Sequence, residues 1–284
     1  MHSTNKEPAP PRVSAEAKLA QFARTLRCHA LRMVHRAKTS HLGGCLSMAD
    51  LLAVLYGEVL RLDPVCPGWP QRDRFILSKG HTAAIMYATL AERGFFPREW
   101  LDTYCTPGSK LTGHITHGLP GVEVSTGSLG HGLPIACGMA LAGKREQQPY
   151  RVFVMLSDGE MDEGSNWEAI LFAAHHHLDN LVAIVDYNKI QSFGAVKTVL
   201  DLDPFAAKWK SCNWAVREIH GHDLSAVRAT LAAVPFAAGW PNAIIAHTVK
   251  GKGVSFMENQ LAWHYKSPTD AQLEQALAEL GVKS

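Results

Sequence analysis

Ser157–Gln191 reads SDGEMDEGSNWEAILFAAHHHLDNLVAIVDYNKIQ and follows the apolar run RVFVML that begins at Arg151. A strand, a glycine turn and a helix in that order usually present phosphate-binding backbone amides at the helix start. This turn instead carries four carboxylates, Asp158, Glu160, Asp162 and Glu163. A second apolar run, LVAIVD from Leu181, closes the stretch and leads to Asn188. Between the two runs Trp167, Ile170, Leu171, Ala174 and Leu178 recur at helical spacing. They predict one apolar helix face packed on a sheet, and so a βαβ unit.

Working outward, FIL at Phe75 and AIIAHTV at Ala243 read as further strands. Continuous apolar runs suit strands buried on both faces of a parallel sheet. With 284 residues, 46% of them hydrophobic, the chain can bury a large core without disulfides or metal staples. No repeat or composition break interrupts it after the polar, proline-rich start. We therefore expect a disordered tail over 1–14 and, over 15–284, one α/β domain, a doubly wound, mostly parallel sheet with helices on both faces.

A formal charge of +2 with no basic stripe argues against nucleic acid and for a small-molecule ligand. The six cysteines, Cys28, Cys45, Cys66, Cys105, Cys137 and Cys212, form no CxxC pair, as expected of reduced thiols, most of them in the core. The start MHSTNKEPAPPRVSAEAK has no apolar signal region and no run reaches membrane-spanning length, which predicts a soluble cytoplasmic protein with no membrane partner.

Ligands of open parallel sheets bind at the carboxyl ends of the strands, so Asp158 and Asn188, each just past a strand, converge there. Asp, Asn and a backbone carbonyl form a hard oxygen shell for Mg²⁺ or Ca²⁺, and Mg²⁺ completes its octahedron with phosphate oxygens. The plainer alternative is a helix cap and a turn. STGSLGHG, with Gly127, Gly130 and Gly132, offers backbone amides to a ligand but lacks the GK(S/T) of a P-loop. His81, in LSKGH, leaves a strand for a helix, and His41, His114 and His264 are candidates for proton handling. The triplet His175–His177 points to different helix faces and cannot jointly grip one ion.

SDG at Ser157 and DYN at Asp186 resemble the thiamine-diphosphate motif. SHLGGCLSMADLL, DRFILSKGHTAAIMYATLAERGFF, LTGH, LPGVEVSTGSLGHGLPIACGMALA, EGSNWEA and KGKGVSFMENQLAWH together resemble the N-terminal half of transketolases. The resemblance implies the thiamine-diphosphate-binding fold, with Asp158, Asn188 and the carbonyl of Ile190 on Mg²⁺ and Gly159 against the diphosphate. It assigns His81 to the diphosphate and reacting carbon, and Gly127, Ser128 and Leu129 to the aminopyrimidine. His41, His114 and His264 fall around the donor sugar, with His264 and Lys250 also near the cofactor, and Glu163 in a proton-sharing network at a dimer interface. Lys250 by itself reads as a surface lysine. Two positions depart from the family pattern: Ser157 replaces the first glycine of GDG, and Gly44 replaces a serine.

The implied reaction transfers a two-carbon ketol unit from a ketose, usually phosphorylated, to an aldose, in carbohydrate metabolism of the pentose-phosphate type. The glutamate that family members use on the pyrimidine ring belongs to a second domain, which predicts that a separate C-terminal subunit completes a heterotetramer of two plus two chains. Alternatives are a related split enzyme acting on an unusual sugar or biosynthetic intermediate, an enzyme nearer to deoxyxylulose-phosphate synthase, and a noncatalytic cofactor-binding remnant. The acidic turn alone also suits a magnesium-dependent phosphohydrolase.

Overall fold

The computed structural model describes residues 14–282. Ser14, the last residue of the expected tail, caps the first helix, α1 (Ala15–Ala37), its Oγ accepting from the Ala17 amide at 3.1 Å; the rest of that tail lies outside the described residues. Short helices α2 (Leu42–Ser47) and α3 (Ala49–Val54) lead to strand β1 (Arg74–Leu77). Then come α4 (Ala83–Glu92), α5 (Gly132–Arg145), β2 (Val152–Ser157), α6 (Gly164–His175) and β3 (Leu181–Tyr187). The chain continues through α7 (Val196–Val199), α8 (Phe205–Ser211), β4 (Ala215–His220), α9 (Leu224–Ala232), β5 (Asn242–His247) and α10 (Asp270–Glu279).

The strands form one five-stranded sheet in the order β1-β2-β3-β5-β4, every pair parallel. All residues of β2 and β3 are buried, as their unbroken apolar runs predict. Successive strand side chains point to opposite faces, so Phe153, Met155, Val182 and Ile184 join a core with α1 to α4 and α9. Val154, Leu156, Ala183 and Val185 join a second core with α5, α6 and α8. Two cores on one parallel sheet are the doubly wound layering expected from the sequence.

Two local readings need correction. β4, AVREIH, is not among the strands expected from the sequence: it is the edge strand, half-exposed along its length, so its polar residues carry no continuous apolar signal. In α6 the buried face is Asn166, Ala169, Ile170 and Ala173, whereas Leu171 is 61% exposed and Leu178 is buried beyond the helix end. Ala169 and Ala173 let the helix sit close to its neighbours, which rotates the larger Leu171 outward. Cys28, Cys45 and Cys137 are buried and Cys212 is half-buried against the second core, whereas Cys66 and Cys105 are exposed; all six are free. Among the described residues no helix is long and apolar enough to cross a membrane.

Candidate active site

Strand register brings the carboxyl ends level: Leu77 lies opposite Met155, Ser157 opposite Asp186, and Tyr187 opposite His247. The segments leaving β1, β2, β3 and β5 therefore rim one cavity of about 240 Å³. Its lining includes His41, His81, His114, His264, Gly127, Leu129, Asp158, Gly159, Asn188, Ile190 and Lys250. Ser128 does not line it, and neither does Glu163, an exposed residue at the start of α6 whose side chain makes no capping bond.

The four carboxylates of the turn divide by direction. Asp158 faces the cavity, accepting from the amides of Gly159 at 2.7 Å and Lys189 at 2.5 Å. Burial, and then the nearby Asp186 charge, push its carboxyl up to about 6. Glu160 points inward, fully buried, and takes hydrogen bonds from the Ser78 hydroxyl and from the amides of Gly130 (3.0 Å) and Ser157 (3.2 Å). It ties the ends of β1 and β2 to the glycine-rich turn. Asp162 is half-buried and Glu163 faces out.

The reading of STGSLGHG as an amide cradle does not extend to Gly130 and Gly132. The Gly130 amide serves Glu160, and the Gly132 amide donates to Ser78 Oγ at 3.1 Å, so both are used within the protein. Gly130 is required by its φ of +83° and by close packing, since a Cβ there would lie 2.5 Å from Ser165 Oγ and 2.6 Å from Glu163 Cβ.

Lys189 adopts φ +69°, an uncommon left-handed turn for a lysine. That turn aims its amide at Asp158 and leaves the Ile190 carbonyl accepting from Lys250 Nζ at 2.9 Å. The Asn188 amide oxygen accepts from the Ile190 amide at 3.2 Å, and Asn188 Nδ2 lies 3.5 Å from Asp186. Asp158, Asn188 and the Ile190 carbonyl thus offer three hard oxygens, with an ammonium already seated on one of them. The donor set and this stand-in cation fit a divalent ion such as Mg²⁺. Among the described residues no cluster of three His, Cys, Asp or Glu side chains could hold a metal, so His175–His177 form no such site.

Beneath the cavity Lys79 Nζ meets Asp186 at 2.5 Å, with both side chains at or below 1% exposure. Asp186 also accepts from Ser47 Oγ at 2.6 Å and from the Thr248 hydroxyl. Burial pushes Asp186 up, but the Lys79 ammonium and the hydroxyl donors outweigh it and hold the carboxyl below its usual range. Sequence reading missed Lys79, Gln191 and Ser192, and gave Asp186 no role beyond its place in DYN. The only signal for Lys79 was a lysine at the end of an otherwise apolar run.

Four imidazoles gather over this floor. The His41 ring centroid lies 5.0 Å from that of His81, 5.1 Å from that of His264 and 6.0 Å from that of His114. Burial, followed by His114 and Lys250, lowers His41 to about 4. Burial and Lys250 lower His264 to about 3, and burial with Lys79 takes His81 well below its ordinary value. Lys250 is itself brought down to about 8 by burial. His41, His81 and His264 are neutral near pH 7, able to donate at one ring nitrogen and accept at the other.

The family model for the transketolase thiamine diphosphate binding domain matches residues 18–284. The chain belongs to the transketolase family. It is 41% identical over 257 residues to one subunit of the apulose-4-phosphate transketolase of Phocaeicola vulgatus, covering 90% of this chain and 92% of that one. It is 40% identical over 263 residues to one subunit of the 6-deoxy-6-sulfo-D-fructose transketolase of a Clostridium species, covering 92% and 96%. The crystal structure of transketolase from Campylobacter jejuni superposes with a TM-score of 0.89 at 31% identity, over 93% of this chain and 43% of that one. The fold is therefore the thiamine-diphosphate-binding fold of transketolases, enzymes of ketol transfer.

The neutral histidines set a pH dependence. The unfolded chain takes up protons on these residues near pH 6.5, while the folded chain does so on His41 and His264 only near 4 and 3. Stability is thus fully present above pH 6.5 and is lost as the pH falls from there toward 4. A His41→Gln/His264→Gln variant is expected to lose less of its melting temperature between pH 7 and pH 5 than the parent. Thermal melts at the two pH values check this.

Proposed function

We propose that this chain is the cofactor-binding half of a two-chain transketolase. Its partner would supply the pyrimidine-binding half of each active site in a heterotetramer of two plus two chains. The single observation that carries the reading is the convergence of three hard oxygens and four imidazoles on one cavity at the carboxyl ends of the sheet. The two-chain reading is supported by relatives of this chain's own length that are named as transketolase subunits.

Asp158, Asn188 and the Ile190 carbonyl would hold Mg²⁺, and through it the cofactor's diphosphate. Gly159, which lines the cavity, would sit against the phosphates; a Cβ there would press on the Gln191 side chain at 3.0 Å. Gly127 and Leu129 line the wall assigned to the aminopyrimidine. Thiamine diphosphate, when bound, would supply the electron sink that ketol transfer needs. Neutral His41, His81 and His264, together with His114, would orient the donor hydroxyls and hold or pass protons at their oxygens. The lowered Lys250 amine, 3.1 Å from His264 Nδ1, would keep that ring's donor and acceptor roles fixed.

The donor in this reading is a ketose carrying a distal anionic group. The relatives' names favour a second reading within the same chemistry, an unusual sugar in place of a pentose-phosphate intermediate. Rigorously pure chain is expected to give no ketol transfer, and addition of the partner to restore it. Coupled assays of the reconstituted pair across phosphorylated, sulfonated and branched ketoses would separate the two readings. Ketol transfer by the pure chain would contradict the two-chain account.

A further inference from the structure

A buried histidine outside the cavity makes contacts that lead back to it. His222, in the loop between β4 and α9, has a side chain only 6% exposed, and its Nδ1 lies 2.7 Å from Asp50 Oδ2. Asp50 is also gripped by Arg27, at 2.6 Å on the same Oδ2 and at 3.1 Å on Oδ1. The opposite ring nitrogen, Nε2, accepts from the Val249 amide at 2.9 Å. A backbone amide can only donate, so Nε2 carries the lone pair and the proton sits on Nδ1, facing Asp50.

Val249 immediately precedes Lys250, whose amine rests on Ile190 O and beside His264. On the far side the segment is held by the Gly251 amide on Gly43 O at 2.9 Å and by the Asn259 amide on Lys250 O at 2.9 Å. On the near side the Thr248 hydroxyl is held by Asp186, and the Val249 amide by His222. We propose that His222 is a positioning residue for Lys250: Arg27 and Asp50 fix its tautomer, and its Nε2 fixes the backbone from which the Lys250 amine is presented to the cavity. The relevance of this to catalysis rests on the assignment of Lys250 to the site.

The test uses the full chain without ligand. His222→Phe removes the acceptor, whereas His222→Gln keeps one donor for Asp50 and one acceptor for Val249. In the Phe variant the Val249 amide is expected to exchange with solvent about tenfold faster or more. Lys250 is expected to be labelled faster by limiting formaldehyde with a borane reductant, and both rates are expected to return toward the parent in the Gln variant. Faster exchange at Val249 with unchanged labelling of Lys250 would overturn the proposal.

Should the Phe variant fail to fold, nitrogen chemical shifts of His222 in the parent chain decide. A protonated Nε2 overturns the proposal and a protonated Nδ1 supports it. In the complex with the partner, His222→Phe added to Lys250→Met is expected to slow turnover no further than Lys250→Met alone, since the two residues act in series. Turnover unchanged by Lys250→Met would instead remove Lys250 from the site, a failure that the labelling result does not share.

Discussion

Replacing Asp158 with asparagine is expected to abolish magnesium-dependent binding of thiamine diphosphate while leaving the chain folded. The loss follows from the donor set: of Asp158, Asn188 and the Ile190 carbonyl, only Asp158 carries charge for the ion. Outer-shell changes around metals alone weaken affinity by about 10–100-fold, so loss of this direct ligand should exceed about 100-fold. Stability should respond differently. Burial and Asp186 hold the Asp158 carboxyl up at about 6, above its unfolded value of 3.8. A raised carboxyl contributes stability that is present below the unfolded value and lost as the pH rises through about 6. At pH 7 the ligand-free parent therefore carries an unfavourable buried charge that asparagine removes, while one of the two amide bonds to Asp158 is given up. The variant should melt within about 3 °C of the parent at pH 7. Calorimetry of cofactor binding to the complex and melts of the chain read the two halves independently, and a variant that binds normally would remove Asp158 from the metal site.

The second large effect belongs to the ion pair beneath the cavity. Asp186→Ala leaves the Lys79 ammonium, buried to within 1% exposure, without its counter-charge, and leaves the Thr248 hydroxyl without an acceptor. Breaking one side of a buried pair destabilises by about 3–5 kcal/mol. In a domain of this size that corresponds to a fall in melting temperature on the order of 10 °C. A Lys79→Met/Asp186→Leu variant, which removes both charges and fills the space, should recover most of it, because no unpaired charge then remains. A fall of only a degree or two for Asp186→Ala would show that the pair is not the buried, ionised contact described above.

The contrast between Asp158 and Asp186 marks how far the sequence could be read. Both follow or end apolar runs, and strand placement alone shows that each reaches the carboxyl edge of the sheet. The direction in which each points, one into the cavity and the other onto Lys79, is set by packing between segments far apart in the chain. The same limit applies to Glu160, which looks like one more cavity carboxylate in the turn but is consumed by Ser78 and two backbone amides. It applies again to the glycine-rich turn, whose glycines were legible while the partners of their amides were not. The inner strands were legible because unbroken apolar runs have few other uses. β4 was not, because an edge strand has no need of such a run. His222 carried no signal at all, since its contacts with Asp50 and Val249 are long-range in sequence.

The measurement that tests the central claim most directly is native mass spectrometry of the protein isolated gently from its own cells, with bound cofactor identified in the same spectrum. The expected result is a complex with a second chain, two copies of each, carrying thiamine diphosphate and Mg²⁺. A cofactor-free assembly of this chain alone would contradict the two-chain reading.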